Sequence, residues 1–138
     1  MASITVTATS VLPGSGTIVT GTAGAAITAG QLLYIDTSAS NVLKLCDSDN
    51  ASTIVNTIAG VSLNGAASGQ KVSYQQSGTY TPGATIIPGE VYISATTAGA
   101  IAPVGDLATG DKTSIFGLGA STSTININIF NGGVAKTT

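Results

Sequence analysis

The 138-residue chain contains no histidine, no arginine and no tryptophan, and it has a single cysteine. Each absence removes a class of function. Without histidine there is no Ser-His-Asp or Cys-His arrangement for nucleophilic catalysis. A lone cysteine, Cys46, excludes an internal disulfide, and neither His nor Arg is present to lower its pKa. An inert buried thiol is therefore expected at Cys46. Charge is also scarce: charged residues make up 7% of the chain, and the net charge is −2. Its four lysines, Lys44, Lys71, Lys112 and Lys136, are scattered. Nucleic-acid binding requires clustered basic side chains to displace counterions from phosphates, so no nucleic-acid partner is expected. No apolar run reaches the roughly 18 residues of a membrane helix, which argues against a membrane partner. Met1-Ala2-Ser3-Ile4-Thr5 lacks a basic region followed by a continuous apolar stretch, so synthesis and folding in a cytoplasm are expected.

What remains is hydrophobic but not aromatic, with polarity supplied by Ser, Thr, Asn and Gly. Hydrophobic residues reach 43%, whereas aromatics are 4%. Disorder requires the opposite balance, low hydrophobicity with high charge. So few charges leave a surface poorly defended against association, which suggests that other chains cover much of it.

Strand signals recur along the chain, and helix formers are sparse. Ile4-Thr5-Val6-Thr7-Ala8-Thr9, Lys71-Val72-Ser73-Tyr74-Gln75 and Ile125-Asn126-Ile127-Asn128-Ile129 alternate with period two. The last places isoleucines on one face and asparagines on the other. Turns punctuate these runs at Pro13-Gly14-Ser15-Gly16, Asn64-Gly65, Pro82-Gly83, Pro88-Gly89 and Asn131-Gly132-Gly133. Many short strands at this spacing predict an all-β sandwich or barrel. One short helix is predicted from Asp47-Ser48-Asp49-Asn50 toward Val55, because any of these polar residues can cap it.

An internal repeat is visible. Gly24–Ile35 resembles Gly83–Ile93, with one residue fewer between glycine and tyrosine in the second copy, so Tyr34 is matched to Tyr92. Ile58-Ala59-Gly60-Val61 then matches Ile115-Phe116-Gly117-Leu118, and Lys71–Tyr74 matches Ile125–Asn128. Ala29-Gly30 and Pro88-Gly89 read as type II turns, with glycine at the third position. Gly60 and Gly117 lie within strand-like runs, the mark of a bulge or a close backbone approach. The pseudo-repeats span about 24–78 and 83–132 of a β domain at 24–138. Residues 1–23 lie outside them, either as an extra strand or as an arm that pairs with a neighbour.

No catalytic, cofactor-binding or metal site is assigned. The carboxylates Asp36, Asp47, Asp49, Glu90, Asp106 and Asp111 are candidates for acid–base work. Five of the six fall in Ser-, Thr-, Gly- or Asn-rich stretches that favour Asx-turns, and Glu90 follows a Pro-Gly turn. Asp47-Ser48-Asp49-Asn50 has a faint calcium-loop character, but it lacks the glycine and the distant bidentate glutamate of an EF-hand. Two features suggest binding instead. Thr5, Thr7 and Thr9 would share a strand face, and Ser121-Thr122-Ser123-Thr124 adds a hydroxyl patch. The tyrosines Tyr34, Tyr74, Tyr80 and Tyr92 can stack on sugars, although the matched pair favours packing.

Several segments taken in order resemble a known family. They are Ala25–Asp36, Ile58–Asn64, Ala66–Val72, Pro88–Ser94, Gly99-Ala100-Ile101-Ala102-Pro103 and Asp106–Asp111. Together they resemble the capsid decoration, or cement, proteins of tailed bacteriophages over roughly Gly24 to Ile129. The resemblance implies a compact β-barrel or sandwich-like domain, β-tulip-like in outline, without catalytic residues or cofactors. It implies a protein of the virion's outer capsid surface, made in the host bacterial cytoplasm. Its partners would be the major capsid protein and two further copies of itself, as a homotrimer at local threefold positions. The alternative reading is a glycan-binding domain of a fibre, spike or surface adhesin, which requires an exposed aromatic pair.

Overall fold

The computed structural model describes residues 3–137. The fold is all-β, with two antiparallel sheets and, among the described residues, no α-helix. The strands are β1 (Leu12–Pro13), β2 (Ile18–Thr22), β3 (Leu32–Asp36), β4 (Val42–Leu45), β5 (Gly60–Ser62), β6 (Lys71–Gln75), β7 (Gly78–Thr81), β8 (Val91–Ser94), β9 (Ile101–Pro103), β10 (Lys112–Gly119) and β11 (Ile125–Ala135). One sheet has the order β2-β6-β5-β3-β4, and the other has β1-β7-β11-β10-β8-β9. Without β1, the second order repeats the first: β7, β11, β10, β8 and β9 stand where β2, β6, β5, β3 and β4 stand.

The hydrogen bonds repeat as well. In the first half the Gly30 N–H donates to the Ser62 carbonyl at 2.9 Å, and the Ser62 N–H donates to the Gln31 carbonyl at 2.9 Å. In the second half the Gly89 N–H donates to the Gly119 carbonyl at 2.8 Å, and the Gly119 N–H donates to the Glu90 carbonyl at 2.8 Å. Gly30 and Gly89 have φ of 88° and 83°, the left-handed conformation that their turns require. Gly60 and Gly117 are likewise equivalent. A Cβ on Gly60 would lie 2.6 Å from the Gln75 carbonyl oxygen, and one on Gly117 would lie 2.3 Å from that of Asn126. Both glycines permit the close strand approach expected from the sequence.

The matched tyrosines are not equivalent in register. Leu33 faces Gly60 across β3–β5, whereas Tyr92 faces Gly117 across β8–β10. Counted from the turn glycine, the partner of Tyr92 is Leu33. Adjacent strand residues point to opposite faces, so the shift of one residue reverses what each sheet buries. Leu32 and Tyr34 enter the inter-sheet core with Tyr80, Tyr92, Phe116 and Ile125, while Leu33 faces the other way. Tyr34 and Tyr92 thus meet in one core from non-equivalent positions. Tyr80 and Phe116 form an edge-to-face pair there, with centroids 6.0 Å apart, a geometry worth about 1 kcal/mol beyond burial.

Two further clusters occupy the outward sides. Ala23, Ile27, Leu33, Leu43, Ala66, Val72 and Tyr74 fill the first sheet, which curls into a half-barrel. Ala23 bridges Leu43 in parallel, and the Gly24 N–H donates to the Leu43 carbonyl at 2.8 Å, drawing the two edges of this sheet together. Ile93, Ala95, Ala102 and Leu107 form the third cluster on the second sheet.

The N-terminal region departs from a simple strand at Ile4–Thr9. The Ile4 N–H donates to Ile101 of β9 and the Thr7 N–H to Gly83, after which Ala8–Ser10 turns as a 3₁₀ helix and Leu12 pairs Thr81 of β7. Alternation alone did not make a strand here, because no continuous partner runs alongside. Thr5, Thr7 and Thr9 consequently form no regular strand face. Val11 is buried in the inter-sheet core, with Ile4 and Val6 packed against it. The segment thus runs from β9 to β7 on its own chain, along the rim of the inter-sheet core.

The predicted helix at 47–55 is also corrected. It reduces to a 3₁₀ turn at Ile54–Asn56. The polar residues before it make local turns instead: Asp47 Oδ1 accepts from the Asp49 N–H, and Asn50 Oδ1 accepts from the Ser52 N–H. Side-chain bonding of this kind competes with helix formation.

Candidate functional site

The residues with reactive side chains are occupied by structure. Cys46 is fully buried, its thiol directed at the Thr57 carbonyl at 3.9 Å, and burial pushes its pKa well above the ordinary thiol value. The Asp36 carboxylate accepts from the Lys44 ammonium at 2.8 Å and from the Ser38 N–H and hydroxyl. The Lys44 and Ser38 side-chain hydrogen bonds lower its pKa to about 2. Asp111 Oδ2 accepts from the Ala108 N–H, closing a turn. Asp47 is held above its usual range, first by desolvation and then by a hydrogen bond shared with Asp49. Asp106 ends the 3₁₀ turn Val104–Asp106, and Glu90 follows the Pro88-Gly89 turn. Among the described residues, no three His, Cys, Asp or Glu side chains come together as a metal centre.

The hydroxyl patch Ser121–Thr124 is the loop between β10 and β11. It is tied internally by Ser121 Oγ and Thr124 Oγ1 at 2.7 Å and by the Ala120 N–H on the Thr124 carbonyl. All four tyrosines are buried. The exposed aromatic is Phe130, 65% accessible, which carries no sequence signal beyond its place at the end of the alternating run.

Part of the outward side of the second sheet is an uncharged β-surface. Cross-strand pairing aligns Thr79, Asn126, Leu118 and Val91 in one row across β7, β11, β10 and β8. Paired residues share a face of an antiparallel sheet. Ile125 and Ile127 are buried beneath, and Asn126 and Asn128 point outward, as the alternation predicts. Leu118 is 45% exposed, and Ile87, beside it at the Gly89–Gly119 contact, is also exposed. Phe130 and Val134 continue the apolar exposure along β11. From Thr113 to Ala135 the chain carries no charge. Three of the four lysines are engaged elsewhere on their own chain: Lys44 with Asp36, Lys112 with the Asn50 and Ala51 carbonyls, and Lys136 with the Leu107 carbonyl.

The surface also contains an open strand edge. β7 pairs β11 only over Ile125–Ile127. Beyond that point, among the described residues, no backbone pairing occupies this side of β11. Beside it lies a groove of about 410 Å³ lined by Ile35, Ile54, Thr57, Ile58 and Gln76 among others. The Asn131 side chain marks the junction, accepting from the Ile58 N–H at 2.8 Å and donating to the Ile58 carbonyl at 3.2 Å.

Neither the protein-family models nor the curated proteins contain a match to this chain. No helix among the described residues is long and apolar enough to cross a membrane.

Proposed function

We propose that this chain is a structural virion protein of the decoration, or cement, type. It binds the outer surface of an assembled phage capsid as a homotrimer and stabilises the major capsid protein lattice. The observation that carries the reading is the uncharged row Thr79, Asn126, Leu118 and Val91 on the outward face of the second sheet, with Leu118, Ile87 and Phe130 exposed near it. Large apolar side chains exposed on one sheet face mark a candidate association surface, and depletion of charge at the centre is what protein interfaces favour. Neutral side chains permit close approach without the desolvation cost of buried ions.

Function on this reading is mechanical. A protein that binds the assembled shell and not its dissociated subunits stabilises the shell by mass action. The glycan-binding alternative requires an exposed aromatic pair, and the buried tyrosines supply none. The test is co-sedimentation with phage heads lacking the protein. Saturation at a fixed number of copies per head, with increased resistance of the heads to heat, is the expected result. Absence of binding to expanded heads overturns the reading.

A further inference from the structure

The open edge of β11 needs a strand, and the chain itself contains a loosely seated one. Other sheet edges are blunted: β4 by the Ala23 bridge, β9 by Ile4, and β1 by its two-residue length and Pro13. Such measures are how sheets avoid unwanted pairing; β11 beyond Ile127 carries no charge and no proline, and its protection is limited to the register shifts against β10 between Ile127 and Phe130 and between Asn131 and Ala135. The incoming strand must be neutral, because no charged side chain lines the edge or the adjoining groove. It must also present aliphatic side chains at alternate positions, to place one row into the groove beside Ile54 and Ile58.

Ile4-Thr5-Val6-Thr7-Ala8-Thr9 meets both requirements: it is uncharged, and it alternates aliphatic side chains with threonine. In its present seat Ile4 and Val6 pack against the inter-sheet core, but the backbone is held by few hydrogen bonds. Two hydrogen bonds, from the Ile4 and Thr7 N–H groups, attach its backbone to the rest of the domain. Cavities of about 480 Å³ and about 240 Å³ flank it, the first lined by Ser3, Ile4 and Thr5 and the second by Ile4, Val6 and Ala8. We infer that Ile4–Thr9 of one copy leaves this seat and adds as a strand to the free edge of β11 in a second copy, its aliphatic side chains entering the groove. Val11 and β1 remain in place as the anchor. The contact joins two different patches, so it propagates head to tail and closes into a ring when the rotation permits. This inference rests on the self-association included in the proposed function and names its site.

Mixing two single-cysteine variants tests it, because only contacts between copies can link them. Cys46 is buried and does not compete. Thr5→Cys protein is mixed with Asn128→Cys protein under mild oxidation at high concentration, and, as a control, with Ser68→Cys protein, whose cysteine lies on the first half. Thr5 and Asn128 are both exposed. The mixed disulfide is expected at least about tenfold above the control, through the local concentration that strand addition creates. Adding Thr57→Lys to the Asn128→Cys protein, to charge the groove, is expected to return the yield to control level. Equal yields with Asn128→Cys and Ser68→Cys, or an unchanged yield with Thr57→Lys, overturn the inference. If heads bind the protein saturably while the cross-link stays at control level, strand addition is wrong and the capsid reading stands. If the cross-link forms and heads remain bare, the reverse holds.

Discussion

The two sheets share a strand order but close differently. The first draws its own edges together, with Ala23 on Leu43 and the Gly24 N–H on the Leu43 carbonyl. The second borrows the segment before it, with Ile4 on β9 and Leu12 on β7. The register differs with the closure: Leu33 turns away from the inter-sheet core at the position where Tyr92 turns into it. The comparison shows how one topology, used twice in a chain, yields a self-contained half and a half that keeps a free edge and an exposed face. Exposed large apolar side chains are concentrated on the second: Ile87, Val104, Leu118, Phe130 and Val134 belong to it, whereas the first sheet exposes Ile18.

The joint between the halves should be the most sensitive point. Gln75 is fully buried, and its amide donates to the carbonyls of Ser15, Ser77 and Thr79 where the chain crosses from β6 to β7. Gln75→Leu strands these acceptors in the interior and is expected to cost about 2–4 kcal/mol, read as a lowered urea midpoint. Retention of full stability would show that the two halves do not depend on this seam. The equivalence of the halves is tested next by Gly60→Ala and Gly117→Ala. Each added methyl meets a backbone carbonyl that cannot move aside, so each should cost about 1–3 kcal/mol. A large loss at one and none at the other would break the equivalence.

Smaller effects sharpen the difference in closure. Hydrogen exchange at the Gly24 N–H should be slower than at the Ile4 N–H, because the first lies in the curled sheet and the second in a segment flanked by cavities. Equal protection would mean that the two closures are equally firm. The smallest effect belongs to the hairpin of the first sheet. Asp36 has a depressed pKa, so its contribution is fully present above its ordinary value of 3.8 and is lost as pH falls through about 2. Asp36→Asn should lower the Tm at pH 7, and its difference from the native protein should vanish below about pH 2. A difference that persists in acid would assign the effect to packing instead of to the Lys44 pair.

Much of this fold is legible in the residues. The Ile125–Ile129 alternation specifies which face is buried, Gly60 and Gly117 announce the close approaches, and Gly30 and Gly89 fix the turns. The register of Tyr34 against Tyr92 is not legible, because aligning them by type absorbs the single-residue shift that reverses a strand. The course of Ile4–Thr9 is hidden for a different reason: alternation indicates which side chains can pack together, not whether a partner strand runs alongside. The exposed face was half visible. Asn126 and Asn128 point to it from the sequence, but nothing in the sequence places Leu118 and Phe130 on it; the pairing of β10 with β11 does.

The most direct measurement of the central claim is co-sedimentation of undecorated heads with the native protein and with Leu118→Lys, a substitution at an exposed position that should leave folding intact. Saturable binding of the native protein is expected, with at least about a tenfold weaker affinity for Leu118→Lys, since a lysine in the middle of the neutral row must be desolvated unpaired. Equal binding of both proteins, with equal Tm, would contradict the assignment of this face to the capsid.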